Sequence, residues 1–156
     1  MRILATQYTL ATKSLEIYLA GCSGNKNGCH CEGCHNPESW DFNNGEVYNK
    51  TYLLKICEKI NSFDKLIQNI MIFGGEPNDN DKSELKSFLF DLKQFQKPIW
   101  LFTRYYKEEL PKFEFELCDY IKCGEYNKNL KSDNNEQYGI KLATSNQYIL
   151  KKGVDY

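Results

Sequence analysis

Four of the seven cysteines in this 156-residue chain are clustered within thirteen residues, at Cys22, Cys29, Cys31 and Cys34. Two histidines, His30 and His35, stand among them. Thiolates are soft ligands that bind iron–sulfur clusters or zinc, and imidazole is a further zinc ligand. The segment therefore predicts either an iron–sulfur cluster or a tetrahedral zinc site, and a chance grouping of free thiols is the remaining alternative.

A second candidate for chemistry is the motif Gly74-Gly75-Glu76-Pro77, which begins forty residues after Cys34. It follows residues 66–73 (LIQNIMIF), a pattern typical of a buried strand. Open parallel sheets bind ligands at the carboxyl ends of their strands, and glycine lets a ligand approach the backbone closely. Taken alone, the motif also fits a simple turn between a strand and a helix.

The segments around these motifs alternate between strand and helix patterns. Strands are predicted at 15–20, 66–73, 98–102 and 118–122, helices at 51–63 and 83–95, and a helical turn at 107–110. Residues 23–44 have neither period and are predicted to form an ordered functional loop. Residues 139–142 and 147–150 are expected to form a terminal hairpin or an edge. The alternation predicts one α/β domain over residues 1–156, with a mainly parallel sheet.

The composition excludes several classes of protein. A net charge of −1 gives no broad electrostatic footprint for nucleic acid or for an anionic membrane. No segment approaches the roughly 18 apolar residues that a membrane span needs, and the first ten residues lack the pattern of a signal peptide. We therefore expect a cytoplasmic protein that binds neither nucleic acid nor membrane. In a reducing cytoplasm, clustered cysteines favour a metal site over disulfides.

Residues 31–40 (CEGCHNPESW) resemble the cluster loop of the activating proteins of anaerobic ribonucleotide reductase. These are radical S-adenosylmethionine (SAM) enzymes. The Gly21-Cys22 pair before the loop also matches. In that family three cysteines bind three irons of a 4Fe-4S cluster, and the fourth iron is open to SAM. The resemblance implies Cys22, Cys31 and Cys34 as the metal ligands.

The cysteine spacing departs from that family. The family usually has three residues between its first two cysteines and two between the last pair. Here eight residues separate Cys22 from Cys31, and Cys29 lies among them. Cys29 is therefore an alternative to Cys22, or a fourth ligand in a resting cluster.

The resemblance also implies a SAM site at the Gly74–Pro77 motif, which is similar to the radical SAM motif that receives the SAM amino group. We expect the carbonyls of Gly74 and Gly75 to be the main acceptors. Glu76, followed by Pro77, is expected either to accept a hydrogen bond from the SAM ammonium or to stabilise the turn.

On the cysteine loop, the resemblance implies that Gly33, Cys34 and His35 line the SAM pocket, His35 mainly through its backbone. His30 is expected to be solvent-exposed. Cys57 is expected in the core, on an apolar helix face.

Three further segments match the same family. Residues 99–103 resemble its fourth strand, with Arg104 where the family often has glycine, and residues 124–126 resemble the exit of the next strand. Residues 139–147 resemble its closing segment, for which we expect a role in closing the sheet near the active site. Cys118 and Cys123 flank a strand and are expected either to pack inertly or to form a redox pair.

The family and the chain length together imply an incomplete TIM-like barrel of βα units. They imply that a 4Fe-4S cluster, reduced by a donor such as flavodoxin or ferredoxin, cleaves SAM. The resulting radical would take hydrogen from a glycine of a large glycyl radical enzyme, expected to be the anaerobic ribonucleotide reductase. The alternatives are radical SAM chemistry on a different peptide or glycyl radical enzyme, and a non-catalytic zinc-binding interaction module.

Overall fold

A computed structural model describes residues 1–25 and 27–156 of the chain. The strands are β1 (Arg2–Thr9), β2 (Ser14–Leu19), β3 (Glu46–Val47), β4 (Asn69–Gly74), β5 (Ile99–Phe102), β6 (Tyr120–Cys123), β7 (Glu136–Gln137), β8 (Ile140–Lys141) and β9 (Tyr148–Lys151). The helices are α1 (Lys50–Ser62), α2 (Lys82–Lys93) and α3 (Lys112–Leu117). In the described part of the chain, no helix is long and apolar enough to cross a membrane.

The main sheet has the order β3-β1-β2-β4-β5-β6-β9, and β7 pairs separately with β8. Its four central strands, β2, β4, β5 and β6, are parallel. The strands at both edges are antiparallel to their neighbours. A helix precedes each of β4, β5 and β6, so the centre of the sheet is built of βα units. This is the predicted α/β class, while the incomplete TIM-like barrel stays a prediction.

The three helices pack on one face of the sheet. Alternate strand residues such as Ile17, Ile72 and Leu101 are fully buried there against Ile56 of α1 and Phe88 of α2. Alternation follows from the pleat, which points successive side chains to opposite faces. β2 alternates polar with apolar residues, whereas β4 is almost continuously apolar from Ile70 to Phe73, because its second face also packs in the smaller cluster described next.

The opposite face carries a smaller apolar cluster of Met71, Trp100, Leu142 and Ile149. Trp100 stacks on Tyr120 with ring centroids 3.8 Å apart. Leu142 lies just after β8 and Ile149 lies in β9, so the C-terminal segment covers part of this face. The expected closing role of residues 139–147 agrees with this position.

The predicted helices and the strands at 15–20 and 98–102 agree with the structure to within two residues at each end. The predicted strand at 66–73 begins later, because residues 63–66 form a hydrogen-bonded turn after α1. The predicted hairpin at 139–150 is wrong, since β9 pairs with β6 and β8 pairs with β7. The edge interpretation of β9 is confirmed.

Candidate functional site

The cysteine loop and the Gly74–Pro77 motif meet at the carboxyl edge of the parallel strands. The loop leaves β2 and is closed at its base, where Gly21 N–H donates to the Ser39 carbonyl at 2.8 Å and Cys22 N–H to that of Trp40 at 3.2 Å. The motif leaves β4, and Glu76 N–H donates to the Gly21 carbonyl at 2.7 Å. The edge where the fold class predicts ligand binding therefore holds both motifs.

Glycine is required where these backbones touch. A Cβ on Gly75 would lie 2.2 Å from the Gly21 carbonyl oxygen and 2.9 Å from that of Ser39. Gly74 has a φ of +108°, and a Cβ there would lie 2.3 Å from the Leu19 carbonyl oxygen. The two glycines thus let the turn after β4 lie directly against both ends of the cysteine loop.

The Glu76 carboxylate is buried and receives three hydrogen bonds. Its Oε1 accepts from Thr103 Oγ1 at 2.6 Å and from Asn78 N–H at 3.0 Å. Its Oε2 accepts from Arg104 N–H at 2.7 Å. Burial raises the pKa of Glu76, and these donors oppose that shift. Of the two roles expected for Glu76, these are the contacts of a residue that stabilises the turn, and the buried Pro77 begins the 3₁₀ turn that follows.

A second carboxylate fixes the chain next to Cys22. Asp79 Oδ2 accepts from both the N–H and the Oγ of Ser23 at 2.7 Å. Asp79 Oδ1 accepts from Arg104 Nη2 at 2.8 Å and from Tyr105 Oη at 2.9 Å. Burial acts to raise the pKa of Asp79, but these hydrogen bonds outweigh it and lower the pKa below its usual value. We call Asp79, Ser23, Arg104 and Tyr105 the Asp79 clamp.

Three of the four clustered cysteines face a common space. A cavity of about 280 Å³ is lined by Cys22, Cys29 and Cys31, with Arg104 and Tyr126 among its other walls. We call it the thiol cavity.

The fourth clustered cysteine, Cys34, does not line the thiol cavity but lies beside it. Its N–H donates to the Cys31 carbonyl at 3.1 Å. The structure thus places the predicted ligands Cys22 and Cys31 on one cavity and Cys34 next to Cys31.

Backbone N–H groups already point at two of these thiols. Burial raises the pKa of Cys22, and a hydrogen bond from the Gly24 backbone opposes that shift. Desolvation likewise raises the pKa of Cys31, and a hydrogen bond from the Tyr126 backbone opposes it. Such hydrogen bonds favour the thiolate form, which is the form that binds metal.

The donor set fits an iron–sulfur cluster. All the cysteines are free thiols, and N–H hydrogen bonds to sulfur are one of the features that tune a cluster. Within residues 1–25 and 27–156, no three Cys, His, Asp or Glu side chains are grouped to hold a metal ion. The fit therefore depends on the chemistry of the thiols, their hydrogen-bond donors and the cavity that Cys22 and Cys31 share.

The expectation that His30 is solvent-exposed is wrong. Its ring is half-buried and stacks on Trp40, with centroids 4.0 Å apart and planes 5° apart. The widened loop folds back, and this places the His30 ring over that of Trp40.

His35 is exposed and lines a second cavity of about 450 Å³. Tyr126 lines both cavities, and Lys141 and Leu142 of the C-terminal segment form part of the second one. Gly33, Cys34 and the Gly74–Pro77 motif are not among the residues that line it, so their SAM contacts stay predictions.

The three scattered cysteines lie away from the loop. Cys118 and Cys123 are fully buried in the helix-side core, and burial raises the pKa of Cys118 and raises that of Cys123 to about 12. Neutral buried thiols agree with the packing interpretation. Cys57, expected in the core, is half-buried on α1 instead.

Although Arg104 and residues 124–126 lie in matching segments, four residues of this site were not predicted as site residues from the sequence: Asp79, Arg104, Glu125 and Tyr126. Each lies just beyond the carboxyl end of a central strand, and the last three line the thiol cavity. Polar residues at that position, after β4, β5 and β6, are the signal that points to them.

A buried carboxyl group lies beneath this site. Glu114 of α3 is fully buried, and no described donor is in hydrogen-bonding geometry with either of its oxygens. Burial raises the pKa of Glu114 to about 8, against the smaller opposing effects of Asn78 and Lys82. Since the folded-state pKa exceeds that of the unfolded chain, the folded protein holds a proton that the unfolded chain releases. Its stability therefore falls as pH rises from about 4.5 to 8.

We predict that Glu114→Gln removes this pH dependence. The free energy of unfolding of the variant, relative to that of the parent protein, should increase by about 1.4 kcal/mol for each pH unit between pH 5 and 8. Urea denaturation across this range measures the difference. Glu116→Gln is the matched control, because Glu116 is exposed on the same helix. Parallel pH profiles for Glu114→Gln and the parent protein would contradict the assignment.

Comparison with known proteins supports the iron–sulfur interpretation of the cysteine loop. Residues 13–150 match the family described as the 4Fe-4S single cluster domain. An anaerobic ribonucleoside-triphosphate reductase-activating protein from Haemophilus influenzae is 26% identical over 108 residues, which are 67% of this chain and 66% of that protein. Proteins of the same name from Escherichia coli K12 and Salmonella typhimurium are 25% and 27% identical, and each alignment covers 74% of this chain and 75% of the relative. No solved structure matches this chain significantly.

Proposed function

This chain belongs to the 4Fe-4S single cluster domain family, and on that premise we propose that it is a radical SAM activase of a glycyl radical enzyme. It holds a 4Fe-4S cluster on Cys22, Cys31 and Cys34. It cleaves SAM reductively and generates a glycyl radical on a partner, the anaerobic ribonucleotide reductase. The names of the aligned relatives support that partner.

The observation that carries the proposal is the contact between the cysteine loop and the glycine turn after β4. Gly75 lies against the Gly21 carbonyl so closely that a Cβ would be 2.2 Å away, and Glu76 N–H donates to that same carbonyl. A metal-binding loop needs no such partner for a structural zinc. A second backbone segment beside the loop would supply carbonyl acceptors for the amine of a cofactor bound to the metal.

The cluster and SAM together supply one-electron cleavage of a carbon–sulfur bond, which yields methionine and a 5′-deoxyadenosyl radical. The residues of the chain bind the cluster and SAM and orient them toward each other. Cys22, Cys31 and Cys34 donate thiolates. The Gly74 and Gly75 carbonyls accept hydrogen bonds from the SAM ammonium. Among the described residues, no donor forms a hydrogen bond with the Gly75 carbonyl, so it is free to do so.

Within the described part of the chain, no clustered cysteine and no residue of the Gly74–Pro77 motif lines the second cavity, so the proposal assigns to it only the part of SAM that does not contact the metal or the motif. The cavity volume of about 450 Å³ is within the range of small-molecule sites, and Tyr126 is a shared wall with the thiol cavity. His35 lies on its cysteine-loop side and Lys141 on its C-terminal side. The proposal also includes a cytoplasmic electron donor such as flavodoxin or ferredoxin.

The partner assignment is tested by electron paramagnetic resonance. Anaerobic ribonucleotide reductase is incubated with the reduced protein and SAM, and the reductase is examined for a glycyl radical. We expect a radical signal that requires SAM and disappears when the glycine of the reductase is replaced by alanine. SAM cleavage without a radical on the reductase would contradict this partner and point to a different peptide or glycyl radical enzyme.

A further inference from the structure

The widened part of the cysteine loop folds back on itself and carries Cys29. Asn25 N–H donates to the Cys29 carbonyl at 2.8 Å, and Cys29 N–H donates to Asn25 Oδ1 at 3.0 Å. A Cβ on Gly24 would lie 2.7 Å from the Cys29 carbonyl, so the fold-back requires glycine there. The stacking of His30 on Trp40 holds the other side. The backbone of Cys29 is therefore fixed beside the thiol cavity.

The folded-back segment places Cys29 at the thiol cavity, so the loop has four thiols where the proposed cluster uses three. Cys22, Cys29 and Cys31 all line the thiol cavity, and Cys34 lies next to Cys31. Three thiolates hold three irons in the proposed site. Cys29 is the one clustered thiol that the proposed cluster leaves unassigned, and it lines the same cavity as Cys22 and Cys31.

Cys22 and Cys29 differ in how they are held. Cys22 is half-buried, and the residue after it is fixed by two 2.7 Å hydrogen bonds to Asp79. Cys29 is exposed, and among the described residues its thiol makes one weak contact, a 3.9 Å donation to the Asn27 carbonyl. An anchored thiol suits a permanent ligand, and an exposed thiol with little packing can move away at little cost.

We propose that Cys29 is an exchangeable fourth ligand of the cluster, which binds the SAM-accepting iron until SAM arrives. This inference rests on the proposed function. In the exchange Cys29 would give up its bond to iron, and the amino and carboxylate groups of SAM would take that coordination position. No electron is transferred, and the released thiolate takes a proton from solvent. Cys29 would thereby protect the open coordination position from solvent while SAM is absent.

The test compares Cys29→Ala with Cys57→Ala, both reconstituted anaerobically with iron and sulfide. Cys57 is a free thiol on α1, outside the cysteine loop, and serves as the matched control. Mössbauer spectra are recorded with and without SAM, and SAM binding is titrated. In Cys29→Ala we expect a distinct iron subsite already without SAM, and about tenfold tighter SAM binding, equivalent to about 1.4 kcal/mol. The parent protein and Cys57→Ala should show the distinct subsite only with SAM.

Three results would overturn the inference. Spectra and SAM affinity of Cys29→Ala equal to those of the parent protein would show that Cys29 does not bind iron. Failure of Cys29→Ala to take up a cluster, with Cys22→Ala still loaded, would make Cys29 a permanent ligand. Failure of the parent protein to take up iron would overturn the proposed function as well, and its iron content separates this case from the other two.

Discussion

Cys34→Ala loses most of its bound iron and slows 5′-deoxyadenosine formation by roughly 10³-fold or more, because the cluster supplies chemistry that no side chain replaces. The parent protein should bind about four irons per chain under the same conditions. Cys34 supplies one of the three thiolates of the proposed cluster, and the remaining loop thiol, Cys29, is exposed and weakly held, so we do not expect it to restore the full iron content. Iron and sulfide analysis and quantitation of 5′-deoxyadenosine measure both effects.

Cys57→Ala is the control for this prediction. It removes a thiol of the same chain that lies half-buried on α1, and it should keep both the iron content and the activity. Circular dichroism shows whether each variant is folded. A folded Cys34→Ala that still binds four irons and cleaves SAM would contradict the ligand assignment.

Glu76→Gln lowers the free energy of unfolding by about 1–3 kcal/mol, because one buried donor loses its acceptor. The amide Oε1 can still accept from Thr103 and Asn78, but the Nε2 group cannot accept from the Arg104 N–H that lies 2.7 Å from Oε2. For a chain of this size each kcal/mol lowers the melting temperature by roughly 2–4 °C. Glu76→Ala should cost more, since all three donors then lose their acceptor. Thermal denaturation measures both variants.

The same variants distinguish the two roles expected for Glu76. If Glu76 stabilises the turn, melting temperature and SAM affinity fall together, as the turn after β4 loses its position against Gly21. An unchanged melting temperature with strongly weakened SAM binding would instead show that the carboxylate contacts the SAM ammonium. Glu58→Gln, an exposed substitution on α1, controls for the removal of a negative charge.

The central elements were predictable because their hydrophobic periods are unambiguous. In α2, Leu85, Phe88, Leu89 and Leu92 recur with helical spacing, and all four are buried. In α1, Leu54 is also apolar but is 62% exposed, because helical spacing alone does not say how wide the covered face is. β1 was not predicted. Its pairing with β2 and β3 is set by neighbours that a local sequence pattern does not show.

The site was predictable through its cysteines and glycines and not through its charges. Gly74 and Gly75 signal a close backbone approach, and the structure has one. The ion pair between Asp79 and Arg104 joins residues 25 positions apart, which meet only because β4 and β5 are neighbours in the sheet. The stacking of His30 on Trp40 likewise depends on how the widened loop folds back. Long-range contacts of this kind leave no periodic trace in a single sequence.

Anaerobic reconstitution with iron and sulfide, followed by reduction and an assay for SAM cleavage, tests the central claim most directly. We expect about four irons per chain and the formation of 5′-deoxyadenosine together with methionine. Zinc bound in place of iron, with SAM left intact, would contradict the claim and make the cysteine loop a structural metal site.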